Sequence, residues 1–181
     1  MNITNNSGDI VLDLKKLSPD IIGVDGIDGV GKTSFARNIR KLGYEIISID
    51  NYLKKKSGGY FHFLDFNKLK NDITKIRNES FVLEGILLRK ILKKVNLKPN
   101  YYIYVTDGVW IYDWLEENQG RYYGLNLKEI IKISESETNL VNKRLNPAFK
   151  TYKMKGLRKE IYSYSYRYQP WNDSNFILEI L

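Results

Sequence analysis

The stretch Gly26-Ile27-Asp28-Gly29-Val30-Gly31-Lys32-Thr33 sets two glycines five residues apart, directly ahead of a Lys-Thr pair. Glycine carries the backbone through positive φ at no side-chain cost, so successive N–H groups can point at one spot. A helix that opens there adds its own unpaired N–H groups and the positive end of its dipole. Such a cradle grips phosphate oxygens. At this spacing Lys32 reaches the outer phosphates of a nucleoside triphosphate, and the Thr33 hydroxyl takes a magnesium ion. Ser34 follows in the same first turn. The chemistry these residues can do is therefore chemistry on a triphosphate, with ATP and Mg2+ as the expected cofactors.

A cradle of this kind needs a strand before it and a helix after it, and the chain supplies both. IIGVD, 21–25, reads as a buried strand. TSFARNIRKL, 33–42, places Phe35, Ala36, Ile39 and Leu42 at helical spacing, and Gly43 is a natural stop. Further strands are expected at 44–50, 80–85, 100–107 and 175–180. Helices are expected at 66–76, 108–118, 127–145 (one or two) and 155–168. Residues 1–9 look loose, and 9–17 read as a short strand or a helical turn that Pro19 ends.

Strands alternate with helices, and most strand runs are continuously apolar, which indicates a parallel sheet covered on both faces. The expected fold is an α/β P-loop NTPase. It has three layers, α/β/α, around a five-stranded parallel sheet of order 2-3-1-4-5. Residues 1–19 form an N-terminal extension, and 20–181 a single domain with a small lid around 108–124. Ligands in such sheets sit beyond the carboxyl ends of the strands. Asp25, Asp50, Glu84 and Asp107 all fall there, which suggests one shared site.

Composition sets outer bounds. The 181 residues suit one domain, and an apolar content of 43% with 28% charged residues is ordinary for a soluble globular chain. The absence of cysteine excludes disulfides and cysteine-ligated zinc. No apolar run reaches the roughly 18 residues of a membrane helix, and the N-terminus lacks a basic-then-apolar leader pattern. The expectation is a cytoplasmic protein without a membrane partner. A net charge of +8 favours anionic partners: a nucleotide, a phosphorylated substrate or nucleic acid. The basic residues are scattered, and the same charge also serves solubility.

A GTPase would offer Asn-Lys-x-Asp. The Asn-Lys pairs here, Asn67-Lys68 and Asn142-Lys143, run on into Leu69-Lys70 and Arg144-Leu145. A small P-loop kinase is the economical reading. The arrangement resembles the uridine kinase and phosphoribulokinase group. ISIDNYL, 47–53, is similar to that group's strand ending in Asp. FVLEGILL, 81–88, is similar to its V-x-x-E-G-I-L segment, and YRYQPWNDSNFILEI, 166–180, to its C-terminal helix, proline and closing strand. The resemblance implies that Asp50 is the general base for the acceptor hydroxyl and that Glu84 joins Thr33 at the metal. It implies a nucleoside pocket around GGYFHFLDF, 58–66, with His62 and Tyr52 as substrate residues. An acidic residue usual before the histidine is Phe61 here.

The lid departs most. Where that group carries arginines, GVWIYDWLEENQGRYYG, 108–124, offers Arg121 alone. Arginines stabilise the charge spread over a transferring phosphoryl group. Arg167, within Tyr166-Arg167-Tyr168, is the first alternative clamp. The tyrosines at 162, 164, 166 and 168 alternate like a strand, while their flanks read as helix. They suit either packing or stacking on single-stranded nucleic acid. Two other functions stay open. One is a nucleoside-monophosphate kinase like thymidylate kinase, which would want an arginine near the end of the second strand. The other is a nucleotide-dependent binding or regulatory protein with little catalysis. The acceptor and the oligomeric state are not readable from the residues.

Overall fold

The computed structural model of the chain describes residues 2–54, 59–115 and 120–180. Parts of three sequence readings lie outside them: Lys55 and Lys56 of the lysine cluster, Gly58 of the aromatic segment, and Glu116 to Gln119 of the lid.

Six strands form one sheet, all neighbours parallel. They are β1 (Asn2–Thr4), β2 (Ile21–Gly26), β3 (Glu45–Ser48), β4 (Phe81–Glu84), β5 (Tyr101–Thr106) and β6 (Phe176–Glu179), in the order β1-β6-β5-β2-β4-β3. This corrects the expected five-stranded sheet and its order. Asn2–Thr4 is too short and polar to stand out as a strand, yet it pairs in register with Phe176–Leu178 and becomes the edge beyond the last strand. Residues 1–9, read as loose, thus contribute a strand and open the helix α1 (Ser7–Leu17), whose Ile10 and Leu14 are buried.

Side chains alternate across a strand, so each strand feeds two cores. On one face Ile22, Val24, Val82, Ile103 and Val105 pack under α1 and α2 (Lys32–Arg40). On the other, Phe81 and Leu83 pack under α3 (Phe66–Lys75) and α4 (Leu88–Val95). A third cluster joins Tyr104 and Ile177 to α5 (Val109–Tyr112), α6 (Leu127–Leu145) and α7 (Gly156–Tyr168). The result is three layers, α/β/α. The helix expected over 108–118 is a single turn, α5, and 127–145 is one helix opened by an Asn126–Glu129 capping box. No helix among the described residues is long and apolar enough to cross a membrane.

Two details position the site. β3 stops at Ser48, and Asp50 sits in a 3-10 turn, Ile49–Tyr52, rather than in the strand as expected. The chain beyond folds back on itself: Lys54 N–H donates to Phe63 C=O at 2.9 Å, and Asp65 N–H to Tyr52 C=O at 2.8 Å. This returns Gly59–Phe63 to the neighbourhood of Asp50.

Candidate functional site

β2 ends at Gly26, where the chain passes so close to β5 that an added Cβ would lie 2.2 Å from the Val105 carbonyl oxygen, at a φ of +151°. No residue with a side chain fits. Ile27 and Asp28 then lead outward, Gly29 and Gly31 turn through φ of 81° and 85°, and Val30 packs against the α2-side core. α2 opens at Lys32 with no side chain capping its first turn. Its leading N–H groups are thereby left to an external acceptor. Thr33 and Ser34 are exposed on that turn.

Lys32 is buried, and its Nζ donates to the Ile27 carbonyl of its own loop. Burial pushes the ammonium below the ordinary lysine value, while the carboxylates of Asp25, Glu84, Asp28 and Asp50 pull the other way. Lys32 thus lies within the field of strand-end and loop acids together. The Thr33 hydroxyl donates to Glu84 Oε1 at 3.1 Å, and Glu84 is itself buried at the end of β4.

Asp25 lies beneath the loop. Its Oδ1 accepts from Gly26 N–H at 2.8 Å and Leu88 N–H at 3.4 Å, and its Oδ2 from the Tyr164 hydroxyl of α7. Burial raises the carboxyl pKa, and these three donors and Lys32 only partly offset it. The fold therefore holds the acid better than the carboxylate. Stability from this site is full below the ordinary aspartate range and declines as pH rises through the raised value. Asp25→Asn, neutral throughout, is expected to lose less stability than the wild type between about pH 4 and about pH 8 in urea unfolding. Equal losses would contradict the assignment.

Asp50 is exposed, and its Oδ1 accepts from the Tyr60 hydroxyl at 2.5 Å. Tyr60 is buried; burial and this bond hold its phenol far above the usual tyrosine range. Asp28 of the loop, Asp50, Tyr60, Ile86 and Leu157 line one cavity of about 380 Å³. The structure thus brings Lys32, Asp28, Asp50, Thr33 and Glu84 into one neighbourhood at the carboxyl ends of β2, β3 and β4.

The remaining expected residues do not line that cavity. Tyr52 turns to α3, where its hydroxyl bonds Asp72 at 3.2 Å. His62 is exposed with its ring edge-on to Phe61. Arg121 is held between Asp113 and Glu137. Arg167 is exposed in a groove with Lys90, Lys159 and Ser163. Asp107 caps the turn before α5 by accepting from Trp110 N–H at 3.0 Å. Tyr60 was not singled out within its aromatic segment, because only the backbone bonds of Lys54 to Phe63 and of Asp65 to Tyr52 mark it from its neighbours.

These features define a parallel α/β protein with a glycine-rich loop after β2 and carboxylates beside it. No protein-family model matches the chain, and no curated protein matches it. Solved structures do resemble it. One, described as a possible uridine kinase from Bacillus stearothermophilus, aligns with a TM-score of 0.46 and 12% identity over 95% of this chain and 98% of that one. A shikimate kinase from Bacteroides thetaiotaomicron gives 0.34 and 13%, covering 89% and 86%. An uncharacterized protein from Eubacterium ventriosum gives 0.34 and 15%, covering 88% of each.

Proposed function

We propose that the chain is an ATP- and magnesium-dependent phosphotransferase that phosphorylates a hydroxyl of a small molecule, with a nucleoside the first acceptor to test. The observation that carries this reading is the shared cavity of Asp28 and Asp50, with Lys32 in the field of both Asp50 and Glu84. The loop amides and the first turn of α2 bind the phosphates. Lys32 leaves the Ile27 carbonyl for a phosphate oxygen. Asp50 takes the proton of the acceptor hydroxyl as that oxygen attacks phosphorus. A second cavity of about 530 Å³ borders Gly31 and Ser34 with Asn5, Ser7 and Asn38 along it, and suits the base of the nucleotide.

The residues present fit magnesium. Thr33 and Glu84 offer two hard oxygen donors 3.1 Å apart, and Mg2+ is commonly held by one or two protein oxygens plus phosphate and water. Among the described residues no group of three or more His, Asp or Glu forms a metal site by itself, so such an ion would rely on the nucleotide's oxygens. Bound there, it would neutralise phosphate charge. Glu84→Gln is expected to raise the magnesium needed for half-maximal nucleotide binding by about ten-fold or more. Unchanged magnesium dependence in calorimetry would remove Glu84 from the site.

A screen of nucleosides, vitamins and sugars for ATP consumption tests the reading. Asp28 and Asp50 in the cavity favour a neutral acceptor over a monophosphate, and no arginine lines it among the described residues. A nucleoside should therefore outcompete its monophosphate; the reverse would favour a nucleoside-monophosphate kinase. One observation supports a different reading, a nucleotide-dependent binding protein with little turnover. Arg121 is the sole arginine of the lid segment, and it is neutralised by two carboxylates. That reading predicts ATP binding with no product from any acceptor.

A further inference from the structure

α7 makes two contacts into the site from residues one helical turn apart. Tyr164 donates to Asp25 under the phosphate loop. Glu160, four residues earlier and so on the same face, accepts two backbone N–H groups from the loop that carries Tyr60. Its Oε1 takes Tyr60 N–H at 3.1 Å and its Oε2 takes Phe61 N–H at 3.0 Å. Successive amides converging on one carboxylate form an anion nest. The residue before them is Gly59, at φ +154°, where a Cβ would stand 2.7 Å from Glu160 Oε1. The loop is thus shaped to admit this carboxylate and no side chain in its way. α4 adds a second grip, with Lys90 Nζ 3.8 Å above the Phe61 ring.

The consequence reaches Asp50. Tyr60 is the residue whose amide Glu160 holds, and its hydroxyl donates to Asp50 Oδ1. An exposed aspartate has rotamers to choose from. A bond from a buried phenol fixes its carboxylate plane and occupies one oxygen, while Oδ2 has no hydrogen bond among the described residues. We propose that Glu160 is a positioning residue: by clipping the Tyr60–Phe61 backbone to α7 it seats the Tyr60 hydroxyl on Asp50 and leaves the second carboxylate oxygen aimed at the acceptor. This rests on the reading of Asp50 as the base. It adds that the acceptor half of the site is assembled by a helix from the far end of the chain. The same helix, through Tyr164, also braces the phosphate half.

The test uses the full chain labelled with 13C at tyrosine Cζ, with the Tyr60 resonance assigned by its loss in Tyr60→Phe. Three variants are compared: Glu160→Ala, Glu160→Gln and, as a remote control, Glu135→Gln, which alters another carboxylate bonded to a backbone N–H, that of Met154. Glu160→Ala should move the Tyr60 resonance toward its position in Asp50→Ala, which has no acceptor for the phenol, and speed exchange of the Tyr60 and Phe61 amides about ten-fold or more. Glu160→Gln keeps one acceptor oxygen and should lie between. Glu135→Gln should leave the resonance in place. With an acceptor found by the screen, Glu160→Ala should cut kcat by about ten- to a hundred-fold, the scale of a small misplacement of a reacting group, with KM for ATP unchanged. Glu160→Gln should recover part of it. An unmoved Tyr60 resonance overturns the proposal, as does a moved resonance with normal kcat. If the resonance moves while the wild type phosphorylates nothing, the kinase reading fails and takes the positioning role with it. A wild type that turns over with Tyr60 indifferent to Glu160 sinks the clip alone.

Discussion

Asp50→Asn is expected to bind nucleotide as the wild type does and to transfer the phosphoryl group about 100- to 10,000-fold more slowly. The substitution keeps an oxygen for the Tyr60 hydroxyl, so the turn Ile49–Tyr52 and the loop over it should stay in place. What it removes is the capacity to take a proton. The loss should therefore fall on kcat, with little change in ADP affinity by calorimetry, since Asp50 reaches the phosphate loop through the field at Lys32 rather than by a bond. Initial rates of product formation, measured beside calorimetry on the same preparation, check both halves. Normal turnover in this variant would strip Asp50 of its role and reopen the question of which carboxylate serves the acceptor.

The second large effect is expected at Lys32. Lys32→Ala should lose triphosphate binding and reduce turnover by at least about 100- to 1,000-fold, the scale seen when one preorganised donor to developing charge is removed. The argument is electrostatic. The ammonium is buried beside Asp25, Glu84, Asp28 and Asp50, and its removal leaves the carboxylates of Glu84, Asp28 and Asp50 facing an incoming polyphosphate with no cation between. Lys32→Arg keeps the charge but exchanges a slim ammonium for a fork that the Ile27 turn has little room for, so it should rescue only weakly. Retained ATP binding in Lys32→Ala would mean that the loop amides and α2 suffice, and that the lysine serves chemistry alone.

The glycine-rich turn after β2 was legible because its requirements are local. Glycines at 26, 29 and 31, a lysine and a hydroxyl follow one another within eight residues. The strand-end acids were legible for a related reason: an apolar run that stops at a carboxylate marks where a buried strand ends. Other features depend on partners far along the chain. Nothing near Tyr60 indicates that Glu160, a hundred residues on, will hold its amide. Tyr52 was a weaker candidate for the pocket than His62, and only the packing of α3 shows its hydroxyl claimed by Asp72. α4 went unread between two strands, although Leu88, Ile91 and Leu92 bury at helical spacing. The alternating tyrosines of 162–168 would suit a strand, but their flanks read as helix, and a helix forms there, in which Tyr164 stacks on Tyr168 one turn away at 5.0 Å.

The chain's tryptophans, three in all, are Trp110, Trp114 and Trp171. All three belong to the aromatic cluster between β5, α6 and α7, with Trp114 centred 5.8 Å from each of the other two rings. Intrinsic fluorescence is therefore a single-address reporter. A ligand held at the Gly26–Thr33 turn alone should leave emission nearly constant, whereas any rearrangement of the 109–115 segment must pass through that light signal, so a stopped-flow trace would time that segment separately from ligand capture.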